Sequence, residues 1–78
     1  MQKVLRISGF YANEDKFKNL QWQVDGVGFE KFSREYHGFP TKRVWIKRDV
    51  YAFTDGDIGK DLYAEYNENG KILQVVVK

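Results

Sequence analysis

The chain has 78 residues, 42% hydrophobic and 31% charged, with a formal net charge of +2, one histidine and no cysteine. That length allows one domain, spanning residues 1–78. Disulfides and zinc sites built on cysteine or on several histidines are excluded, and no apolar run approaches the ~20 residues that cross a bilayer.

At the start, Met1 to Ile7 is basic, but Arg6 and Ser8 interrupt any apolar stretch of the kind a secretion signal needs. A cytoplasmic protein without a membrane partner is therefore expected. Lys3 to Phe10 reads as a strand, with Val4, Leu5 and Ile7 apolar and Gly9 ending or bulging it. Asn13 is placed to cap a short helix over Glu14 to Leu20, with Phe17 and Leu20 on one face and the acidic pair Glu14 and Asp15 in the first turn. Leu20, Trp22 and Val24 then alternate as a strand would. Asp25-Gly26 is a turn signal.

Phe29, Phe32, Ser33 and Tyr36 recur at i, i+3, i+4 and i+7, followed by Gly38 and Pro40. This spacing predicts a second short helix from about Glu30 to His37. Arg43 to Phe53 is rich in β-branched and aromatic residues and reads as one long strand. After the loop Asp55 to Lys60, strands over Asp61–Asn67 and Lys71–Lys78 are joined at Asn69-Gly70, a strong hairpin signal. A two-residue loop there pairs Tyr66 with Leu73, Ala64 with Val75 and Leu62 with Val77 on one face. The other face pairs Glu65 with Gln74, Tyr63 with Val76 and Asp61 with Lys78. A slip of one residue would turn Val75 and Val77 to the wrong side.

These elements together specify an α+β domain. Its antiparallel sheet has about four or five strands, with one or two short helices against the inner face. A small β-barrel with helical insertions is the alternative.

Charge is distributed unevenly. Residues 1–48 hold ten Lys and Arg against five Asp and Glu, whereas residues 49–78 hold three against six. An anionic partner on the basic side fits this dipole, and so does attraction between the two halves. The stretch Lys42 to Phe53 concentrates the signal. Under strict alternation Val44, Ile46, Val50 and Ala52 face one way, with Arg48 among them. Arg43, Trp45, Lys47, Asp49, Tyr51 and Phe53 face the other. Interleaved cations and flat rings suit a single-stranded nucleic acid, with Arg43 and Lys47 on phosphates and Trp45 and Tyr51 stacked on bases. Lys42 and Arg48 would add to the field. A bulge at Arg48-Asp49 would instead send Tyr51 and Phe53 into the core and leave Trp45 without neighbouring rings.

Arg48 to Phe53 also partly resembles the RNA-recognition-motif signature. That fold requires a helix where only Asp55–Lys60 is available, and Asp49 stands where the signature has glycine. Asp55, Asp57 and Asp61 fail the spacing of a calcium loop, since Lys60 stands where glycine is required and Tyr66 where glutamate is. Glu35, His37 and Arg34 are adjacent in sequence, which by itself defines no acid–base geometry. No phosphate loop or nucleophile elbow is present. The reading is therefore a non-catalytic binding protein without metal or cofactor. Nucleic acid is the first partner class. The alternative is a protein-interaction module such as an inhibitor or adaptor, suited to a phage or mobile-element accessory role, using the same aromatic surface or a free sheet edge.

Overall fold

Five antiparallel strands build the computed structural model, which describes Met1 to Lys78: β1 (Gln2–Glu14), β2 (Leu20–Gly28), β3 (Thr41–Lys47), β4 (Asp61–Tyr66) and β5 (Ile72–Val77). Their spatial order is β3-β2-β1-β4-β5. The only helical element is a single 3-10 turn at Asp55–Asp57. The fold is therefore all-β, and the α+β expectation with its two α-helices is overturned.

The first expected helix is a hairpin. β1 continues to Glu14, β2 starts at Leu20, and Glu14 pairs with Leu20. Asp15 is responsible. One oxygen of its carboxylate accepts the backbone N–H of Phe17 (2.8 Å) and of Asn19 (2.9 Å), while the other accepts the Asn19 side chain. A short acidic side chain that captures local N–H groups favours a turn over a helix. The second expected helix is an irregular connection between β2 and β3. A helix of about eight residues is marginal unless it packs on something. Phe32 and Tyr36 instead pack on each other, with ring centroids 6.0 Å apart, and both stay exposed.

The expected long strand also divides. β3 stops at Lys47, Arg48 to Val50 form a turn closed by the Val50 N–H on the Lys47 carbonyl (3.0 Å), and the chain then recrosses the sheet. That crossing covers the inner face in place of helices. Val50, Tyr51 and Phe53 pack against the buried set Val4, Leu5, Ile7, Val24, Val44, Ile46, Leu62 and Ala64. Phe53 lies 5.7 Å from Phe10, 5.9 Å from Trp22 and 4.6 Å from Tyr51, ring centre to ring centre. The indole N–H of Trp22 donates to the Tyr51 carbonyl at 2.9 Å, so this half-buried polar group is satisfied. The 3-10 turn anchors the far end, with the Asp57 carboxylate accepting the Thr54 N–H (3.0 Å) and the Tyr51 hydroxyl (3.3 Å).

β1 serves two neighbours by means of two irregularities. Register shifts between Lys3 and Leu5 against β4, and between Ile7 and Gly9 against β2. The first lets both Val4 and Leu5 be buried, as a bulge permits. Opposite β1, Gly26 lies inside β2 and not in a turn. A Cβ there would overlap the Arg6 carbonyl, so close backbone approach explains this glycine.

The β4–β5 hairpin keeps the expected pairs Leu62–Val77, Tyr63–Val76, Ala64–Val75 and Glu65–Gln74. Nearer the turn the register differs: Tyr66 faces Ile72, and Leu73 is left exposed. The cause is Asn67, whose side-chain oxygen accepts the N–H groups of Asn69 and Lys71, both at 2.9 Å. The turn closes between Asn67 and Lys71, with Gly70 at φ 79°, which is a three-residue loop and not a two-residue one.

β3 and β5 remain unpaired edges, so the sheet does not close by hydrogen bonds into the alternative barrel. It curls far enough for the β4–β5 tip to line a groove with the edge of β3. No helix is long and apolar enough to cross a membrane.

Candidate functional site

On β2 and β3 the alternation separates two faces cleanly. Trp22, Val24, Ile46 and Val44 pair on the inner face, and Gln23–Trp45, Asp25–Arg43 and Gln21–Lys47 pair on the outer one. The outer row continues onto β1, because Gln23 also pairs with Tyr11. Trp45, Gln23 and Tyr11 therefore form one row across three strands. At the usual strand spacing the two aromatic residues sit about 10 Å apart. Trp45 is 53% and Tyr11 63% exposed. Lys47, Gln21 and Asn13 make the next row on one side, and Arg43, Asp25 and Gly9 the row on the other.

The residues expected to form the site divide between the two faces. Trp45, Lys47 and Arg43 lie together on the outer face. Tyr51 does not join them: it is half-buried among the inner rings, and burial together with the nearby Asp57 carboxylate pushes its phenol above the usual value. Lys42 points to the inner side, opposite Gly26. Arg48 follows the end of β3 and lays its guanidinium over the Trp22 ring, 4.3 Å from the centroid. There it shields the core's rim while its charge remains in solvent.

The cations also differ in how free they are. Arg43 donates to Asp25 at 2.6 Å, and this hydrogen bond, with help from Gln23, holds the Asp25 carboxyl below the usual carboxylate value. Arg6 and Lys3 share Asp61 farther along the same face. Lys47, Arg48, Lys16 and Lys18 have no carboxylate partner within ion-pairing distance, and each is exposed. Of these, Lys47 stands on the outer face beside the Trp45–Tyr11 row, Lys16 and Lys18 flank Phe17 at the β1–β2 tip, and Arg48 is turned to the inner rim.

Two contributors escape a reading by composition. Tyr11 lies one residue past the expected end of the first strand, so it is assigned no face until β1 is known to continue. Phe17, read as the apolar face of a helix, is 73% exposed at the β1–β2 tip between Lys16 and Lys18. Its signal is the Asp15-x-x-x-Asn19 spacing that closes the loop.

No set of His, Asp and Glu side chains is gathered as a metal site would require. Comparison with protein-family models, with curated proteins and with solved structures finds no match.

Proposed function

We propose that this protein binds single-stranded nucleic acid, without catalysis, on the outer face of β1, β2 and β3. The observation that carries the reading is the Trp45–Gln23–Tyr11 row, two exposed aromatic residues on a rigid sheet beside unpaired cations. Flat rings accept any base by stacking, and lysines follow the phosphates. Trp45 and Tyr11 are the stacking residues in this reading, Tyr11 taking the part first given to Tyr51. Lys47 supplies the phosphate contact, and Arg43 adds little net charge because Asp25 pairs with it. The cysteine-free composition suits action in the cytoplasm.

The test is titration of the protein with oligodeoxythymidylate while Trp45 fluorescence is followed. Trp22 is shielded by the inner cluster and serves as an internal constant. Quenching at low salt, reversed as salt rises with a log–log slope of about −0.7 per phosphate contact, is expected. Fluorescence indifferent to oligonucleotide at low salt rules the reading out.

A second reading, a protein-interaction module, is favoured by one observation: Phe32, Tyr36 and Phe39 are all exposed in the single connection between β2 and β3. Clustered exposed rings mark interaction surfaces. A partner held there would dissociate little as salt rises.

A further inference from the structure

We infer that the bound strand does not end on the outer face but crosses the free edge of β3 into the groove between that edge and the β4–β5 tip. This path rests on the platform reading above and lengthens it. The groove has a volume of about 530 Å³, and its walls include Phe17, Leu20, Trp45, Lys47, Tyr66 and Lys71. Trp45 and Lys47 thus belong to both surfaces, so a chain stacked on Trp45 meets the groove at its next step.

Three features suit the groove to a nucleic-acid strand. First, its charge is positive: Lys47 and Lys71 line it against one acid, Asp15, while the third cation there, Arg43, is paired with Asp25. The Asp15 oxygens are already occupied by the N–H of Phe17 and the backbone and side chain of Asn19, while Lys47 and Lys71 have no ion-pair partner. Second, the exposed ring of Phe17 is presented at the groove's end by a loop that Asp15 closes. Third, the edge supplies donors. Arg48 donates to the Leu20 carbonyl (3.3 Å) and Gly28 to that of Pro40 (2.9 Å). Antiparallel alternation then turns the N–H groups of Arg43, Trp45 and Lys47 away from β2, toward the groove. Backbone N–H groups of this kind are common phosphate ligands. An acidic extended peptide could use the same groups as an added strand. The aromatic and cationic residues shared with the platform favour the nucleic acid.

The experiment measures the affinity of trimeric and octameric deoxythymidylate at low salt for the native protein and for F17A, K71E and W45A. Circular dichroism confirms that each variant is folded. Phe17→Ala and Lys71→Glu are expected to weaken the octamer by at least about fivefold, the low end of one lost stacking contact, and to leave the trimer unchanged. Trp45→Ala weakens both. The octamer's salt slope is steeper by about 0.7 for each extra phosphate engaged. If Phe17→Ala and Lys71→Glu leave the octamer unaffected while Trp45→Ala does not, the groove path is overturned and the platform stands. If neither oligonucleotide binds, both are overturned. A Glu-Val alternating peptide that protects the Arg43, Trp45 and Lys47 amides from exchange, where the octamer does not, assigns the groove to a peptide and also overturns the path.

Discussion

The inner and outer faces of β1, β2 and β3 carry aromatic residues on the same three-strand frame, yet the rings meet opposite conditions. Phe10 and Trp22 point inward, where Phe53 and Tyr51 close over them and the Trp22 N–H finds a carbonyl. Tyr11 and Trp45 point outward, with no ring beside them and a glutamine between. The difference arises downstream. The segment after β3 can cover only one face, and its turn at Arg48–Val50 determines which. An aromatic residue in a strand is thus core or surface according to what crosses above it, and its own side chain does not decide.

Substitutions can break this contrast in order of expected size. Phe53→Ala removes the ring at the centre of the inner cluster and should destabilise the fold by about 3–5 kcal/mol, read from the urea midpoint at unchanged slope. A loss under 1 kcal/mol would mean the crossing segment is not part of the core. Gly26→Ala forces a methyl group against the Arg6 carbonyl on the inner side, and about 1–3 kcal/mol is expected from overpacking. Stability equal to the native protein's would mean that β1 and β2 do not approach as closely as described.

On the outer face the effects are smaller. Hydrogen bonds from Arg6 and Arg43 hold the Asp61 and Asp25 carboxyls below their usual value. A lowered folded pKa contributes stability that is present above the unfolded value, near 4, and is lost as pH falls through the folded values. Acid unfolding should therefore begin below about pH 4, and Asp61→Asn should flatten part of that limb. Because these pairs are exposed and screened, salt should reduce the effect. Identical acid limbs for the two proteins would remove Asp61 from the account. Smallest of all, Trp45→Ala should change stability by no more than about 0.5 kcal/mol, read from the same urea midpoint. A change comparable to that of Phe53→Ala would mean that Trp45 is a structural residue, and the platform would lose its main ring.

The C-terminal hairpin was legible because its information is local. Leu62, Ala64, Val75 and Val77 alternate on both sides of a turn, and only one register buries all four. Its last pair was not legible, because Asn67 accepts two backbone N–H groups and so lengthens the loop by one residue, an effect of one side-chain oxygen that alternation does not record. The face of Trp45 could be read as far as Lys47. Beyond it, alternation continues in the sequence while the chain turns, which is why Tyr51 was placed beside Trp45. Both expected helices had the right apolar spacing, but Asp15 diverted one and the other had no surface to pack on. Asp25-Gly26 read as a turn for a related reason: glycine marks close backbone approach as well as reversal, and nothing local separates the two.

The pairing of β1 with β4 joins the two ends of this order. Every other ladder links strands that follow one another in the chain, so β1–β2–β3 and β4–β5 can each assemble from nearby residues. The β1–β4 ladder spans only Gln2–Arg6 against Asp61–Ala64, yet closing it spans most of the polypeptide. Contacts so distant carry the largest loop-closure entropy and set the pace of folding. Leu5 against Leu62, with Arg6 on Asp61, is then the last seam to form, and with both leucines fully buried it does not open on its own. Amide exchange in the native state should show β1 around Leu5 and β4 around Leu62 opening only with the whole fold.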